Sequence, residues 1–366
     1  MEIVDNRSKV VSTALEFKEQ LKSSDKVFIL GTNKYGRAIA DFLIGLGLTE
    51  IGFINDFSKE NYFGVFKIYG SNLNFGNAKI INCVVEGRTI DSEKLIDTLQ
   101  PLARSNYFAI QLAFPELPEI DFMVNTESVI RDANHYDFVF NKLEDVQSKI
   151  EYQNVVNFRL NRDISFLSNF RFRINEQYFE EFISLNNIDS FVDGGSFDGQ
   201  TSLEFIRRKK DYSKVIAFEP SSQSYLAVCD KLKDYKFIDV VNKGIWNKSE
   251  SLSFNSDLGS ASRIENEGTL KIEVVSLDES LDEKIDFIKL DIEGAEKNAI
   301  LGAKRIINEN KPVMAVCVYH HQEDYFRIPQ MILEINPHYK VYFRHYTQGV
   351  FESVMYFLPL KPTQHV

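Results

Sequence analysis

The chain has 366 residues, a formal net charge of −11, 44% hydrophobic and 26% charged residues. That composition is ordinary for two globular domains. The acidic balance argues against a nucleic-acid backbone as main partner, which needs a local Lys/Arg excess.

The basic run Arg207, Arg208, Lys209, Lys210 reads as a solvated helix end. Cys83, Cys229 and Cys317 are few and far apart, which points to a reducing compartment and away from a disulfide framework or a zinc site. The first residues, MEIVDNRSKVVSTALEF, contain no apolar signal core. No run of about 18 apolar residues occurs to span a membrane. A cytoplasmic protein with no nucleic-acid partner and no membrane span is therefore expected.

Three regions separate by pattern: 1–114, 115–187 and 188–366. In the first, residues 26–31 (KVFILG) read as a buried strand closed by Gly31. A helix follows, with Ile39, Phe42, Leu43 and Leu46 on one face and Gly47 as its stop. Strands are expected at Ile51–Ile54 and Ala78–Val85. This strand–helix–strand order implies a parallel, Rossmann-like α/β domain. Gly31 and Gly36 stand where a dinucleotide-binding turn has its first and last glycines. Asn33 occupies the middle position, where backbone must approach a pyrophosphate, and Asp56 lies near the place of a ribose-binding acid.

The stretch 115–187 reads as a helical connector or cap. Phe138, Leu143 and Val146, then Phe166, Phe170, Tyr178, Phe179 and Phe182, are its apolar stripes. In 188–366, strands are expected at Phe191–Asp193, Val215–Phe218, Phe237–Asn242, Phe287–Asp291 and Val313–Tyr319. The tail forms a hairpin around Gly349. Parallel alternation closed by a hairpin is a doubly wound α/β sheet carrying one antiparallel strand.

Four pieces of this last region carry chemistry. FVDGGSFDGQTSLEFI ends a buried strand at Asp193 and opens a helix behind Gly194, Gly195, Ser196 and Gly199. Such a turn lets backbone approach a ligand, and the helix N-terminus, with Thr201, offers N–H groups to an anion. KVIAFEP ends the next strand in Glu219, where an acid accepts hydrogen bonds from ribose hydroxyls. In DFIKLDIEGAE, Lys289, Asp291 and Glu293 alternate with apolar residues. Charges on a central strand are costly unless they pair or open onto a site. VMAVCVYHHQEDYF ends a strand at His320-His321, and a histidine there is a candidate general base. Asp291, Glu293, His320 and Asp324 together leave a divalent cation open, although their spacing fixes no ligand set, so no metal is assigned.

In order, FVDGGSFDGQT, IAFEPS, NKGIW, GSAS, VVSLDE, DFIKLDIEGAE and VYHHQED resemble the FkbM-type methyltransferase family over Tyr178–Pro359. The resemblance implies a class I methyltransferase sheet, S-adenosylmethionine as methyl donor and a hydroxyl as acceptor. Carried over by position, it puts Asp193, Gly194, Gly195, Ser196, Gly199 and Thr201 along the methionine and ribose end of the donor. It puts Glu219 at the ribose hydroxyls, Asn242, Lys243 and Gly244 beside the adenine, and Asp291, Glu293 and His320 toward the acceptor. His320 is favoured over Asp291 as base.

The expectation is an O-methyltransferase acting on a sugar or glycoconjugate precursor, with a small-molecule or glycan acceptor and scope for a homo-oligomer through the N-terminal domain. Two alternatives stay open. One is an NAD-dependent sugar-nucleotide oxidoreductase or epimerase using residues Gly31–Asp56, although no convincing Tyr-x-x-x-Lys pair follows them. The other is a non-catalytic binding module.

Overall fold

The computed structural model describes residues 1–87, 99, 103–171, 173–255, 263–264 and 270–360. The chain divides into two compact units. The first comprises residues 1–133, 152–174 and 345–352, and the second residues 134–151, 175–344 and 353–366. The stretch 115–187, expected as one connector, is thus shared between the two units.

In the first unit, α1 (Arg7–Lys22) buries Val10, Ala14, Phe17 and Leu21, which recur at helical spacing. Next come β1 (Val27–Leu30), α2 (Lys34–Gly45), β2 (Ile51–Ile54), β3 (Tyr62–Phe63), β4 (Phe66–Tyr69), β5 (Lys79–Asn82) and β6 (Ala103–Asn106). The sheet order is β3-β4-β2-β1-β5-β6. All its pairings are parallel except β3–β4. Phe28, Leu30, Ile54, Phe75, Ile80 and Leu99 form its core. The expected strand–helix–strand start of this region is present.

After β6 in the sequence come α3 (Tyr107–Ala113), α4 (Ser128–Arg131), α5 (Ala133–Lys142) and α6 (Val146–Asn161). The expected helical reading fails beyond these. Residues 164–187 hold only the short 3-10 turns Ile164–Leu167, Ile174–Glu176 and Leu185–Asn187. The expected apolar stripe also breaks: Leu143 is buried, while Phe138 and Val146 are exposed.

The second unit is built on β7 (Ser190–Gly194), α7 (Gln200–Arg208), β8 (Lys214–Phe218), α8 (Ser222–Leu232), β9 (Ile238–Val241), β14 (Phe287–Leu290), α10 (Glu296–Leu301), α11 (Lys304–Glu309), β15 (Val313–Cys317), α12 (Asp324–Ile335), β16 (Tyr339–His345) and β17 (Ser353–Pro359). The order β16-β17-β15-β14-β7-β8-β9 is parallel throughout β15 to β9, with β17 antiparallel to β15. A smaller sheet of β10 (Gly244–Ile245), β11 (Glu250–Asn255), β12 (Arg263–Ile264) and β13 (Leu270–Val275), with α9 (Leu277–Ser280) after it, is inserted before β14. The GSAS piece at 259–262 lies outside the described residues.

Strands β7, β8 and β14 are covered on both faces, which is why their sequences are almost uninterrupted apolar runs. At their amino ends, Phe191 stacks on Phe205 of α7 (ring centroids 4.6 Å apart) and tilts against Phe287 of β14 (5.1 Å). Phe191→Ala removes the middle ring of a fully buried cluster. It is expected to cost about 3–5 kcal/mol in urea unfolding followed by circular dichroism. A loss below about 1 kcal/mol would show that the rings do not organise this end of the sheet.

Candidate active site

Every strand of the parallel sheet in the second unit ends on the same side, and the carboxyl ends of an open α/β sheet are where ligands bind. At the end of β7 the chain turns sharply through Gly195 (φ +75) and Gly199 (φ +76) into α7. A Cβ on Gly195 would lie 1.9 Å from the Asp291 carbonyl oxygen, so only glycine fits between β7 and the segment leaving β14. The amides of Gly195 and Ser196 both donate to the Phe218 carbonyl, at 3.1 Å each, and tie the turn to the tip of β8. Gly199, the N-cap, supplies no capping side chain to α7. Thr201 is half-buried in the first turn of that helix.

Glu219 stands at the tip of β8, 7% exposed. Its Oε2 accepts from the Phe197 amide and its Oε1 from the Ser221 amide, both at 2.9 Å. Burial raises its pKa, and the two amides pull the other way without cancelling the rise. The Gly-rich turn and the acid of the next strand therefore meet directly. Asn242 is exposed just beyond β9, with its Nδ2 donating to the carbonyls of Glu219 (2.9 Å) and Pro220 (3.1 Å). Lys243 is half-buried beside it, and Gly244 is buried where β10 pairs with β13.

Asp193 and Lys289 face each other. These residues are register partners on adjacent strands, and both are buried. The Lys289 ammonium lies 3.1 Å from Asp193 Oδ1 and donates to the carbonyls of Gly194 (3.0 Å) and Gly195 (2.6 Å). Ser202 of α7 donates to Asp193 Oδ2 at 2.7 Å. Burial alone would depress the lysine, but Asp193 and Asp291 outweigh it and raise its pKa, so the ammonium stays charged. The Lys289 charge thus faces a protein partner rather than an open cleft. The Asp193 carboxylate is taken up from both sides within the protein.

Asp291, Glu293 and His320 do come together. Asp291 Oδ2 accepts from the Tyr178 hydroxyl (2.8 Å) and its Oδ1 from the Tyr319 hydroxyl (3.3 Å). Burial pushes the Asp291 pKa up, but Lys289 and His320 prevail and lower it. His320 is 3% exposed. Its Nε2 faces Glu293 Oε2 (3.4 Å) and Asp291 Oδ1 (3.6 Å), and its Nδ1 faces Glu296 Oε1 (3.1 Å). Burial disfavours the imidazolium, yet Glu296 and Glu293 raise the His320 pKa well above its ordinary value. Both ring nitrogens are therefore turned to carboxylates. Asp324 stands apart from this group, bound by Lys297 (2.9 Å) and the His321 amide (3.0 Å).

Tyr178 and Glu296 were not singled out as site residues in the sequence. Tyr178 comes from the irregular stretch before β7, its ring beneath the Lys289 ammonium at 5.4 Å. Glu296 opens a short helix, where an acid is unremarkable by pattern.

In the first unit, Asn33 caps α2. Its Oδ1 accepts from the Gly36 amide and its Nδ2 donates to the Cys83 carbonyl, both at 2.9 Å. Asp56 is engaged by the amide (2.6 Å) and hydroxyl (2.5 Å) of Ser71. Among the described residues no helix is long and apolar enough to cross a membrane.

Lys289→Met would leave Asp193 buried without a countercharge. The expected loss is about 3–5 kcal/mol in urea unfolding. Adding Asp193→Asn is expected to recover part of it. A single variant as stable as wild type would mean that the pair does not hold the turn.

Residues 193–346 match the model of the methyltransferase FkbM domain. The crystal structure of methyltransferase FkbM from Methylobacillus flagellatus KT is 20% identical in sequence, with a TM-score of 0.69 over 96% of this chain and 98% of that one. It shares the fold nearly end to end. Fibrillarin from Aeropyrum pernix, with natively bound S-adenosyl-L-methionine, is 11% identical over 47% of this chain and 66% of its own, at a TM-score of 0.32. An rRNA methylase from Streptococcus thermophilus is 13% identical over 48% of this chain and 89% of its own, at 0.33. No curated protein matches. The motif order and the sheet order agree with the match to the FkbM domain over residues 193–346.

Proposed function

We propose that the chain is an S-adenosylmethionine-dependent O-methyltransferase whose acceptor is a hydroxyl of a sugar or glycoconjugate precursor. The observation that carries the donor half is the 2.9 Å bond from the Phe197 amide to Glu219, which joins the Gly-rich turn to the tip of the neighbouring strand. Turn, acid and the start of α7 then share the carboxyl edge of the sheet, the place of a nucleoside ligand in such folds. In this reading Gly194, Gly195, Ser196, Gly199 and Thr201 line the methionine and ribose end, and Asn242 and Gly244 flank the adenine. Glu219 holds the ribose hydroxyls. A carboxylate has about four lone-pair sites, and two of these carry the amides. Asp193 is a positioning residue, acting through Lys289 and Ser202 on the turn.

On the acceptor side the hydroxyl oxygen attacks the sulfonium methyl. The carbon–sulfur bond breaks, its electron pair stays on sulfur, and the hydroxyl proton must leave. Most of the rate in such a displacement comes from alignment of oxygen, carbon and sulfur. His320, favoured from sequence, has both nitrogens facing carboxylates. Asp291, kept ionised by Lys289 and His320, is the carboxylate available to take the proton, oriented by Tyr178 and Tyr319. Glu293 and His320 hold the wall beside it. The first unit takes a scaffolding or self-association role, because the Asn33 side chain already satisfies the amide that would meet a phosphate. A cytoplasmic setting suits three free cysteines.

Calorimetry with S-adenosylhomocysteine tests the donor. Binding heat is expected for wild type. Glu219→Gln is expected to weaken affinity about tenfold or more, since a charge-assisted hydrogen bond is worth about 1.5–3 kcal/mol. Equal affinity in that variant removes the ribose assignment. Asp291→Asn is expected to keep that affinity while turnover falls about 10²–10⁴-fold. Wild-type turnover would move the proton elsewhere. Nucleotide sugars and glycans screened by mass for the gain of one methyl group test the acceptor class, and a screen without any methylated product counts against it.

A further inference from the structure

Phe197 stands in the Gly-rich turn with no task assigned to its side chain. Its neighbours Gly195 and Gly199 take positive φ values at no steric cost, but Phe197 takes one too, at φ +46. For a bulky side chain that is an outlier, kept only where the surroundings over-determine it, and such residues gather at functional sites. The surroundings do fix this backbone. The Phe197 amide donates to Glu219 Oε2 at 2.9 Å, the Gly195 and Ser196 amides donate to the Phe218 carbonyl, and Asp198 is held by Lys231 at 2.8 Å. The strain does not serve to bury the ring, because Phe197 is left 48% exposed. An aromatic face is thus held in place at the carboxyl edge of the sheet without being packed away.

The order of the strands says which part of the donor that face would meet. Strands β7, β8 and β9 are neighbours in the sheet, in that order. The turn leaves β7, Glu219 ends β8, and Asn242 lies just beyond β9. With the ribose hydroxyls on Glu219 and the adenine beside Asn242, the turn lies on the side of the ribose away from the base. On that side the donor carries its sulfonium, a permanent cation. Two carboxylates belong to the turn, and both are spent: Asp193 on Lys289 at 3.1 Å and Asp198 on Lys231 at 2.8 Å. The face of an aromatic ring attracts a cation through its quadrupole and needs no carboxylate to do so.

We propose that the Phe197 ring lies against the sulfonium of the donor and lets the site tell the charged donor from its neutral product. This deepens the S-adenosylmethionine reading and rests on it. Phe197 is then a specificity-determining residue, and Glu219 has two duties, holding the ribose and fixing the ring through the Phe197 amide. Methyl transfer discharges the sulfur, so the contact weakens as product forms.

The test is calorimetry of the full chain with S-adenosylmethionine and S-adenosylhomocysteine in parallel. Phe197→Leu keeps apolar bulk and removes the aromatic face. In that variant affinity for S-adenosylmethionine is expected to fall about tenfold, while affinity for S-adenosylhomocysteine changes less than about twofold. Phe197→Tyr is expected to keep the wild-type preference. Phe197→Gly relieves the backbone, so it is expected to lose the preference while its urea midpoint stays level or rises. An equal loss for both ligands in folded Phe197→Leu, or no loss, overturns the proposal. So does a Phe197→Gly variant that is less stable than wild type yet keeps the preference, because the ring would then be a packing element of the turn. Wild type that binds neither ligand removes the donor reading itself. Wild type that binds both, with Phe197→Leu unchanged, removes the ring assignment alone.

Discussion

The second unit is organised around one ion pair sealed between two central strands. Lys289 spends its ammonium on Asp193 and on the carbonyls of Gly194 and Gly195, so the same charge that crosses from β14 to β7 also fixes the path of the Gly-rich turn. An isolated charge in that position would cost several kcal/mol, and the pair is tolerable because the remaining polar groups are met. Ser202 meets the other oxygen of Asp193 and links the pair to α7. The turn, the helix behind it and the strand beside it are thus positioned by a single buried contact. Tyr178 carries the same influence to the other half of the site, with its ring under the ammonium and its hydroxyl on Asp291.

The strands of the parallel sheet were legible for a physical reason. Covered on both faces, they read as short apolar runs ended by glycine or acid, and the observed bounds of β2, β7, β8, β14 and β15 fall within about two residues of those expected. The proximity of the turn and Glu219 was legible too, because one βα unit separates them. For Lys289 the sequence left open whether its charge pairs or opens onto a site. Its partner sits far upstream, and nothing local says that two charges will face each other across strands. The resemblance gave Asp193 a ligand-lining role, and its pairing with Lys289 was not readable for the same reason. Tyr178 was read as one residue of a connector helix's apolar stripe, where the structure has 3-10 turns instead. The small sheet of β10 to β13 went unread because its strands are short and mix polar with apolar residues.

The two units treat similar turns in opposite ways. In the first, an asparagine side chain closes the start of α2 on itself, and Asp56 is spent on Ser71. In the second, the residue before α7 is a glycine with no side chain to offer, and Glu219 reaches across to the turn backbone. A strand–turn–helix motif by itself therefore says little about ligands. What distinguishes the two is whether the protein has already used the groups a ligand would need.

Strand β17 lies between β15 and β16, although it follows both in the chain. During synthesis, β15 and β16 each present an unpaired edge until residues 353–359 leave the ribosome. The seven-stranded sheet is completed only when that strand slots into the gap. Assembly of this sheet is thereby tied to the arrival of β17, and shorter nascent chains carry bare sheet edges open to mispairing.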